Sequence, residues 1–216
     1  MMSNVWFTSD LHIGHQLVAD QRAQWFGAPT EPDIWQQWHD RTLADNWDAR
    51  VSKKDQVWVL GDISSGTTEA QAYALNWLSD RPGEKHLVPG NHDRCHPMYR
   101  DSHVWLPAYL QVFKSVQVFA RRRIAGVSVL LSHFPYDGDH TQVSRFDQYR
   151  MRDYGEPLLH GHTHRPWRAT ASTPIYPVES EWATIPPNQF HVGVDAWNLT
   201  PVHTDELADL MREVTA

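Results

Sequence analysis

The stretch Lys85-His86-Leu87-Val88-Pro89-Gly90-Asn91-His92-Asp93 joins a short apolar run to a turn that carries an amide, an imidazole and a carboxylate in succession. A short apolar run closed by turn residues reads as a buried strand. The same construction recurs along the chain. Val5-Trp6-Phe7 precedes Asp10-Leu11-His12, Val57-Trp58-Val59-Leu60 precedes Gly61-Asp62, Val127-Ser128-Val129-Leu130-Leu131 precedes Ser132-His133, and Leu158-Leu159 precedes Gly161-His162-Thr163-His164. Sheet proteins assemble their sites in loops at strand ends. The donors gathered this way are numerous enough to hold two metal ions.

Working outward, 216 residues suit one domain spanning 1–216, because two domains of this length would each have a small core. No internal repeat, low-complexity tract or linker divides it. Hydrophobic residues make up 41% of the chain, with 11 tryptophans, which supplies a sizeable core. Fourteen histidines against the single Cys95 exclude an intrachain disulfide and a cysteine zinc finger, and direct metal binding to His, Asp and Asn. The net charge of −7 argues against an extended nucleic-acid face, which needs clustered Lys and Arg. Arg121-Arg122-Arg123 reads as a solvated hairpin turn, whereas Arg145, Arg150 and Arg152 fall between two ligand motifs. The N-terminus lacks the basic and apolar regions of a signal peptide, and no apolar stretch approaches the roughly 20 residues of a membrane span. A soluble, reducing, cytoplasmic setting is expected.

Strands are expected at 5–9, 56–60, 85–88, 157–159 and 190–194, with a hairpin from 116–120 and 124–131 leading to His133. Thr30-Glu31-Pro32-Asp33 has the residues of a helix start, followed by Ile34, Trp35, Trp38, Leu43 and Trp47 on one face. A second helix is expected over 68–79, with Ala70, Ala74, Trp77 and Leu78 inward. A short helix lies within 94–115 and a closing helix spans 204–214. The polar segment 136–156 and a proline-containing excursion over 169–189 read as irregular.

Two metals about 3.5–4 Å apart can activate water and clamp both oxygens of a phosphoryl displacement, which calls for a bridging carboxylate and neutral ligands around it. Asp10 and His12 sit two residues apart, as do His162 and His164; in an extended loop such pairs point to one side. Gly61, Gly90 and Gly161 each precede a candidate ligand, where a missing side chain allows close approach.

The ordered set Asp-x-His, Gly-Asp, Gly-Asn-His-Asp, His and Gly-His-x-His resembles the calcineurin-like metallophosphoesterase superfamily. It covers residues 5–164, and Val192-Gly193-Val194-Asp195-Ala196-Trp197 resembles the end of its small bacterial and phage members. The resemblance implies an α/β fold of four layers, αββα, with two mixed β-sheets flanked by helices. It implies that Asp10, His12, Asp62 and His164 bind one divalent ion, and that Asp62, Asn91, His133 and His162 bind another, with Asp62 bridging. By the same resemblance, a metal-bridging hydroxide attacks phosphorus in line.

The resemblance also implies that His92 serves the leaving oxygen as a catalytic group, a role worth about 10²–10⁴ in rate. Asp93 is expected to orient His92, Asp195 to orient a metal-binding imidazole, and His15, Arg94 and Asn91 to contact substrate. Asp137, Asp139, His140 and 145–152 are expected to form a flap over the site. Protein serine/threonine phosphatases carry Asp-Arg-Gly where this chain has Ser65-Gly66-Thr67, so their phosphate-binding arginine is missing. A phosphoprotein phosphatase is accordingly not expected; the resemblance to small single-domain relatives implies a small phosphoester, a nucleotide phosphodiester such as a 2′,3′-cyclic nucleotide. Mixed imidazole and oxygen donors suit Mn²⁺ first, with Fe, Ni²⁺, Co²⁺ or Zn²⁺ as alternatives. The competing readings are a nuclease acting on RNA or DNA ends, and an idle metal-binding module that docks partners through exposed tryptophans.

Overall fold

Neighbouring residues in the strands are buried on opposite sides of the sheet, which is why the strands read as continuous apolar runs instead of alternating ones. The computed structural model describes residues 3–173 and 186–215. In β1 (Val5–Thr8) Trp6 enters one core and Phe7 another; in β2 (Gln56–Val59) Val57 and Val59 share the first core while Trp58 joins the second. With β3 (Glu84–Leu87) and β4 (Ser115–Val116) these strands run parallel, and β10 (Val202–His203) pairs antiparallel with β1 to close the order β10-β1-β2-β3-β4.

The second sheet holds β5 (Ala120–Ile124), β6 (Val127–Leu131), β7 (Leu158–His160), β8 (Ala169–Thr170) and β9 (Gln189–His191), in the order β5-β6-β7-β9-β8. β6, β7 and β9 are parallel and the edge strands β5 and β8 antiparallel. Phe7, Trp58, Leu60 and Val88 of the first sheet meet Val129, Leu131, Leu159 and Phe190 of the second in one buried cluster. Each such side chain contributes about 1.5–3 kcal/mol on burial.

The outer face of the first sheet is covered by helices. α1 (Gln16–Trp25) packs on α2 (Trp35–Arg50), and α3 (Thr68–Ser79) and α4 (Ser102–Tyr109) add Leu75, Leu78 and Tyr109 to the core. α5 (Thr204–Thr215) inserts Leu207, Ala208 and Met211 between the sheets. On the outer face of the second sheet, Leu130 and Leu158 pack against Tyr136 and Met151 of the 136–156 segment. This is the expected α/β architecture of two mixed sheets with helices. Among the described residues, no helix is long and apolar enough to cross a membrane.

Local details differ from the sequence reading. α1 was not expected. Pro32–Ile34 form a 3-10 turn, and α2 begins only at Trp35, without a side-chain cap. α3 matches its expected bounds, with Thr67 Oγ1 accepting from Ala70 N at 3.2 Å, but Gln71 and Leu75 are buried with Ala74 and Leu78. Val116 pairs with Leu87 in the first sheet and does not join the hairpin. Arg121-Arg122-Arg123 form the strand β5 itself. The turn is Ala125-Gly126, both at positive φ as a two-residue hairpin turn requires. An edge strand tolerates charge because one of its sides is unpaired. The 169–189 excursion lies mostly outside the described residues.

Candidate metal centre

The loops that leave these strand ends are unusually tight. Asp10, His12, Asp62, His162 and His164 all have φ between 47° and 69°, in the left-handed region. Such geometry costs about 1–3 kcal/mol per residue and persists only where surroundings enforce it. Here the loops enforce one another: Asp10 N donates to Gly61 O at 3.0 Å, and His12 N donates to Asp62 O at 3.0 Å. The two-residue pairs therefore converge through left-handed turns, not through the extended loop the spacing suggested. Glycine is required for the crowding: a Cβ on Gly90 would overlap Asp62 Oδ1, and one on Gly161 would overlap Ser9 Oγ.

Asp10, His12 and His164 form one donor group, and Asp62, His133 and His162 form a second. Donor atoms within each group lie within 4.8 Å of one another. Asp62 Oδ2 lies 3.8 Å from His12 Nε2 and 3.4 Å from His133 Nε2, so one carboxylate oxygen faces both groups. Asn91 Oδ1 is 3.3 Å from His133 Nε2. His162 and His164, two residues apart in sequence, fall in different groups.

The chemistry of these donors fits cations. His12 Nδ1 donates to Ser64 O at 3.1 Å and His133 Nδ1 to Leu60 O at 2.7 Å, so that in the neutral form of each ring Nε2 is the lone pair offered to an ion. Those lone pairs face a carboxylate, an amide oxygen and, 3.2 Å from His12 Nε2, the Nε2 of His164. Neutral rings opposed in this way repel unless a positive charge sits among them. Burial alone disfavours charge on His133, yet the Asp62 carboxylate pushes its pKa up to about 9, so that a proton is held where a metal ion fits. Burial opposes ionisation of Asp10 as well, and His191, His164 and His133 hold it below the usual carboxylate range.

His92 Nδ1 donates to Ser65 O at 3.1 Å, and the His92 ring lies 5.3 Å from that of His12 at the edge of the cleft. Asp93 does not orient it. The fully buried Asp93 carboxylate accepts from Gly90 N at 2.7 Å, Asp62 N at 2.9 Å and Ile63 N at 3.1 Å, tying two ligand loops together. Out of reach of solvent, it acts on loop position and not on substrate. Arg94 is also a correction: it pairs with Asp101 at 2.6 Å and stacks on Tyr99 and Trp105, and it does not line the cleft. His15 does line the cleft, and also caps α1 by accepting from Val18 N at 3.4 Å.

Of the residues close to the donors, Asp139, Arg22 and His191 carried no such expectation in the sequence. Asp139, read only as part of a flap, accepts from His162 Nε2 at 3.0 Å and is itself held by Arg145 at 3.0 Å and Arg150 at 3.7 Å. Asp195 does meet an imidazole, with Oδ2 3.2 Å from His164 Nδ1. Its partner, Arg22, is fully buried and donates to both Asp195 oxygens at 2.7–2.8 Å, and to Asp10 O at 2.7 Å. His191 at the end of β9 turns its buried Nε2 towards Asp10 Oδ2 at 3.6 Å without a hydrogen-bond partner. Its place after the apolar Phe190 repeats the strand-end signal of the donor residues.

The donors open into a cleft of about 460 Å³ walled by His12, His92 and His164 on one side and by Leu17, Gln21 and Trp25 of α1 on another.

The profile of the family described as calcineurin-like phosphoesterase matches residues 3–174. The Gene 66 protein of Mycobacterium phage D29 is 49% identical, covering 99% of this chain and 98% of its own length. The Gene 66 protein of Mycobacterium phage L5 is 47% identical, covering 99% and 96%. Among solved structures, the protein of unknown function AQ665 from Aquifex aeolicus superposes with a TM-score of 0.63 at 18% identity, over 97% of this chain and 100% of that one. That last likeness is one of fold.

Proposed function

The chain belongs to the calcineurin-like phosphoesterase family, and we propose that its metal-dependent phosphoesterase site hydrolyses phosphodiesters of small nucleotides, 2′,3′-cyclic nucleotides among them. The observation that carries this reading is the position of Asp62 Oδ2 between His12 Nε2 and His133 Nε2, one oxygen serving two donor groups. Asp10, His12, Asp62 and His164 would hold one divalent ion, and Asp62, Asn91, His133 and His162 the other, with Mn²⁺ the first choice. When bound, the ions supply Lewis acidity and neutralise phosphoryl charge.

The residues around the ions have separate tasks. His92, at the cleft edge with Nδ1–H held by Ser65 O, presents Nε2 to the leaving oxygen and moves a proton there. Asp139 and Asp195 accept hydrogen bonds from His162 and His164 and fix how those rings face the centre. Asp93 keeps Gly61-Asp62 and Gly90-Asn91 in register through three amide hydrogen bonds. With Ser65-Gly66-Thr67 in place of a phosphate-binding arginine, a phosphoprotein substrate is disfavoured. The nuclease reading looked to Arg145, Arg150 and Arg152 for a basic track, and Arg145 and Arg150 are engaged by Asp139.

The test is hydrolysis of bis-p-nitrophenyl phosphate against p-nitrophenyl phosphate, with Mn²⁺ added or chelated, followed by cyclic nucleotides. Metal-dependent cleavage that favours the diester supports the proposal. A preference for the monoester would refute the diesterase reading.

A further inference from the structure

Helix α1 turns its apolar residues the wrong way for a surface helix. Ala19, Arg22 and Ala23 are buried, while Leu17 and Trp25, on a stripe with Gln21, are 62% and 63% exposed. Spacing of four residues puts that stripe on one face, and it forms a wall of the cleft that holds His12, His92 and His164. Beyond Trp25 the cleft continues into a trough of about 680 Å³, bounded by Trp25, His164, Arg165 and Trp167, with Arg168 at its side. Trp167 is 51% exposed, and the Arg165 guanidinium lies 5.5 Å over its ring.

Arg165, Arg168 and Asp195 line the trough, and the Asp195 carboxylate is already paired with Arg22. Arg165 meets the carbonyl oxygens of Asp139 and His140 at 3.4 Å, and Arg168 donates to Ala196 O at 3.1 Å and covers Trp197 at 4.0 Å. Among the described residues neither arginine has a carboxylate in ion-pair range, in contrast to Arg22, Arg94, Arg145 and Arg150. Exposed indoles have a hydration cost that a binding partner removes, and a nucleobase offers a flat π-face for stacking. Guanidinium groups with no carboxylate partner among the described residues suit the phosphates between bases.

We propose that this trough is a subsite for an unpaired nucleotide next to the scissile phosphodiester, with its base stacked on Trp25 or Trp167 and its phosphate facing Arg165. The proposal rests on the phosphodiesterase reading and deepens it: the substrate class becomes short single-stranded oligonucleotides and dinucleotides. Duplex nucleic acid is excluded, because its bases already stack on one another and cannot reach an indole.

The experiment measures binding in EDTA, so that no cleavage occurs. A fluorescein-labelled deoxythymidine tetranucleotide and an abasic tetranucleotide of equal charge are titrated with wild type, Trp25→Ala, Trp167→Ala and Trp25→Phe proteins, with circular dichroism to check folding. The thymidine probe is expected to bind about tenfold tighter than the abasic one. The alanine variant that removes the stacking indole, Trp25→Ala or Trp167→Ala, should lose about that factor for the thymidine probe alone, and Trp25→Phe should retain most of it. Equal affinity for the two probes, no binding, or unchanged affinity in both alanine variants overturns the subsite. Metal-loaded wild type is assayed in parallel on bis-p-nitrophenyl phosphate. Turnover there with a failed binding test sinks the subsite alone, whereas no turnover sinks the phosphodiesterase reading whatever the probes do.

Discussion

Oδ2 of Asp195 lies 3.2 Å from Nδ1 of His164, while Nε2 of the same ring faces His12 and Asp10. A carboxylate on one imidazole nitrogen fixes the tautomer and makes the other a better donor; losing such a partner typically costs 10–100-fold in metal affinity, on the order of 1.4–2.7 kcal/mol. Asp195→Asn is therefore expected to weaken Mn²⁺ binding by about that factor, as read by electron paramagnetic resonance titration. An unchanged affinity would show that the contact is only packing.

Arg22 is the counter-charge that makes a buried Asp195 tolerable. Removing one partner of a buried pair costs about 3–5 kcal/mol because the other charge is left unpaired. Arg22→Met is expected to lower urea stability by that order, and Arg22→Met combined with Asp195→Leu should recover part of the loss. Strict additivity of the two changes would mean that they do not interact.

Metal binding should release a proton. Burial works against charge on His133, but Asp62 lifts its pKa to about 9, so the metal-free ring is protonated at pH 7. A metal ion needs the neutral ring, and affinity should rise about tenfold per pH unit until about pH 9. The sign is opposite for folding: in the metal-free protein this shift adds stability that is complete below about pH 6.5 and lost as pH rises through about 9. Calorimetry of Mn²⁺ binding in buffers of different ionisation enthalpy counts the protons; a count of zero at pH 7 would contradict the assignment.

His92 and Asp93 are neighbours with different work. His92→Ala should keep its metal content, measured by mass spectrometry, and lose about 10²–10⁴ in kcat. Asp93→Ala strands three buried amides, each worth about 1–3 kcal/mol, and should lower the unfolding midpoint and metal content together. Metal loss in His92→Ala would place that residue among the ligands instead.

The donors were legible because each follows its strand directly, so the local sequence shows both the residue and the end that carries it. The strands were legible because burial on both faces leaves uninterrupted apolar runs, as in Val57-Trp58-Val59-Leu60. α1 was not, since its buried face carries Arg22 and its open face carries Leu17 and Trp25, which inverts the usual periodicity. Arg22 and Asp195 meet across 173 residues, and no local pattern announces such a contact. Asp139 was lost in a polar segment whose fold depends on Arg145 and Arg150 closing on it.

Acid should destabilise the fold through two histidines outside the proposed ligand set. Burial pushes His160 down to about 3 and His96 down to about 4. His96 accepts from Met98 N through Nδ1 at 3.0 Å and lies edge-on to Phe134 and Tyr149, so its ring is held neutral. Unfolded chains protonate histidine near pH 6.5, whereas these rings in the native state do not until pH is much lower. The unfolded state thus binds more protons between about 6.5 and 4, and stability falls as pH falls through that window. The urea midpoint of metal-free protein should drop between pH 7.0 and 4.5. In His96→Asn the amide oxygen can replace Nδ1 as acceptor but does not titrate, so the drop should be smaller. An acid limb as steep as that of wild type would remove His96 from the account and leave the effect to His160.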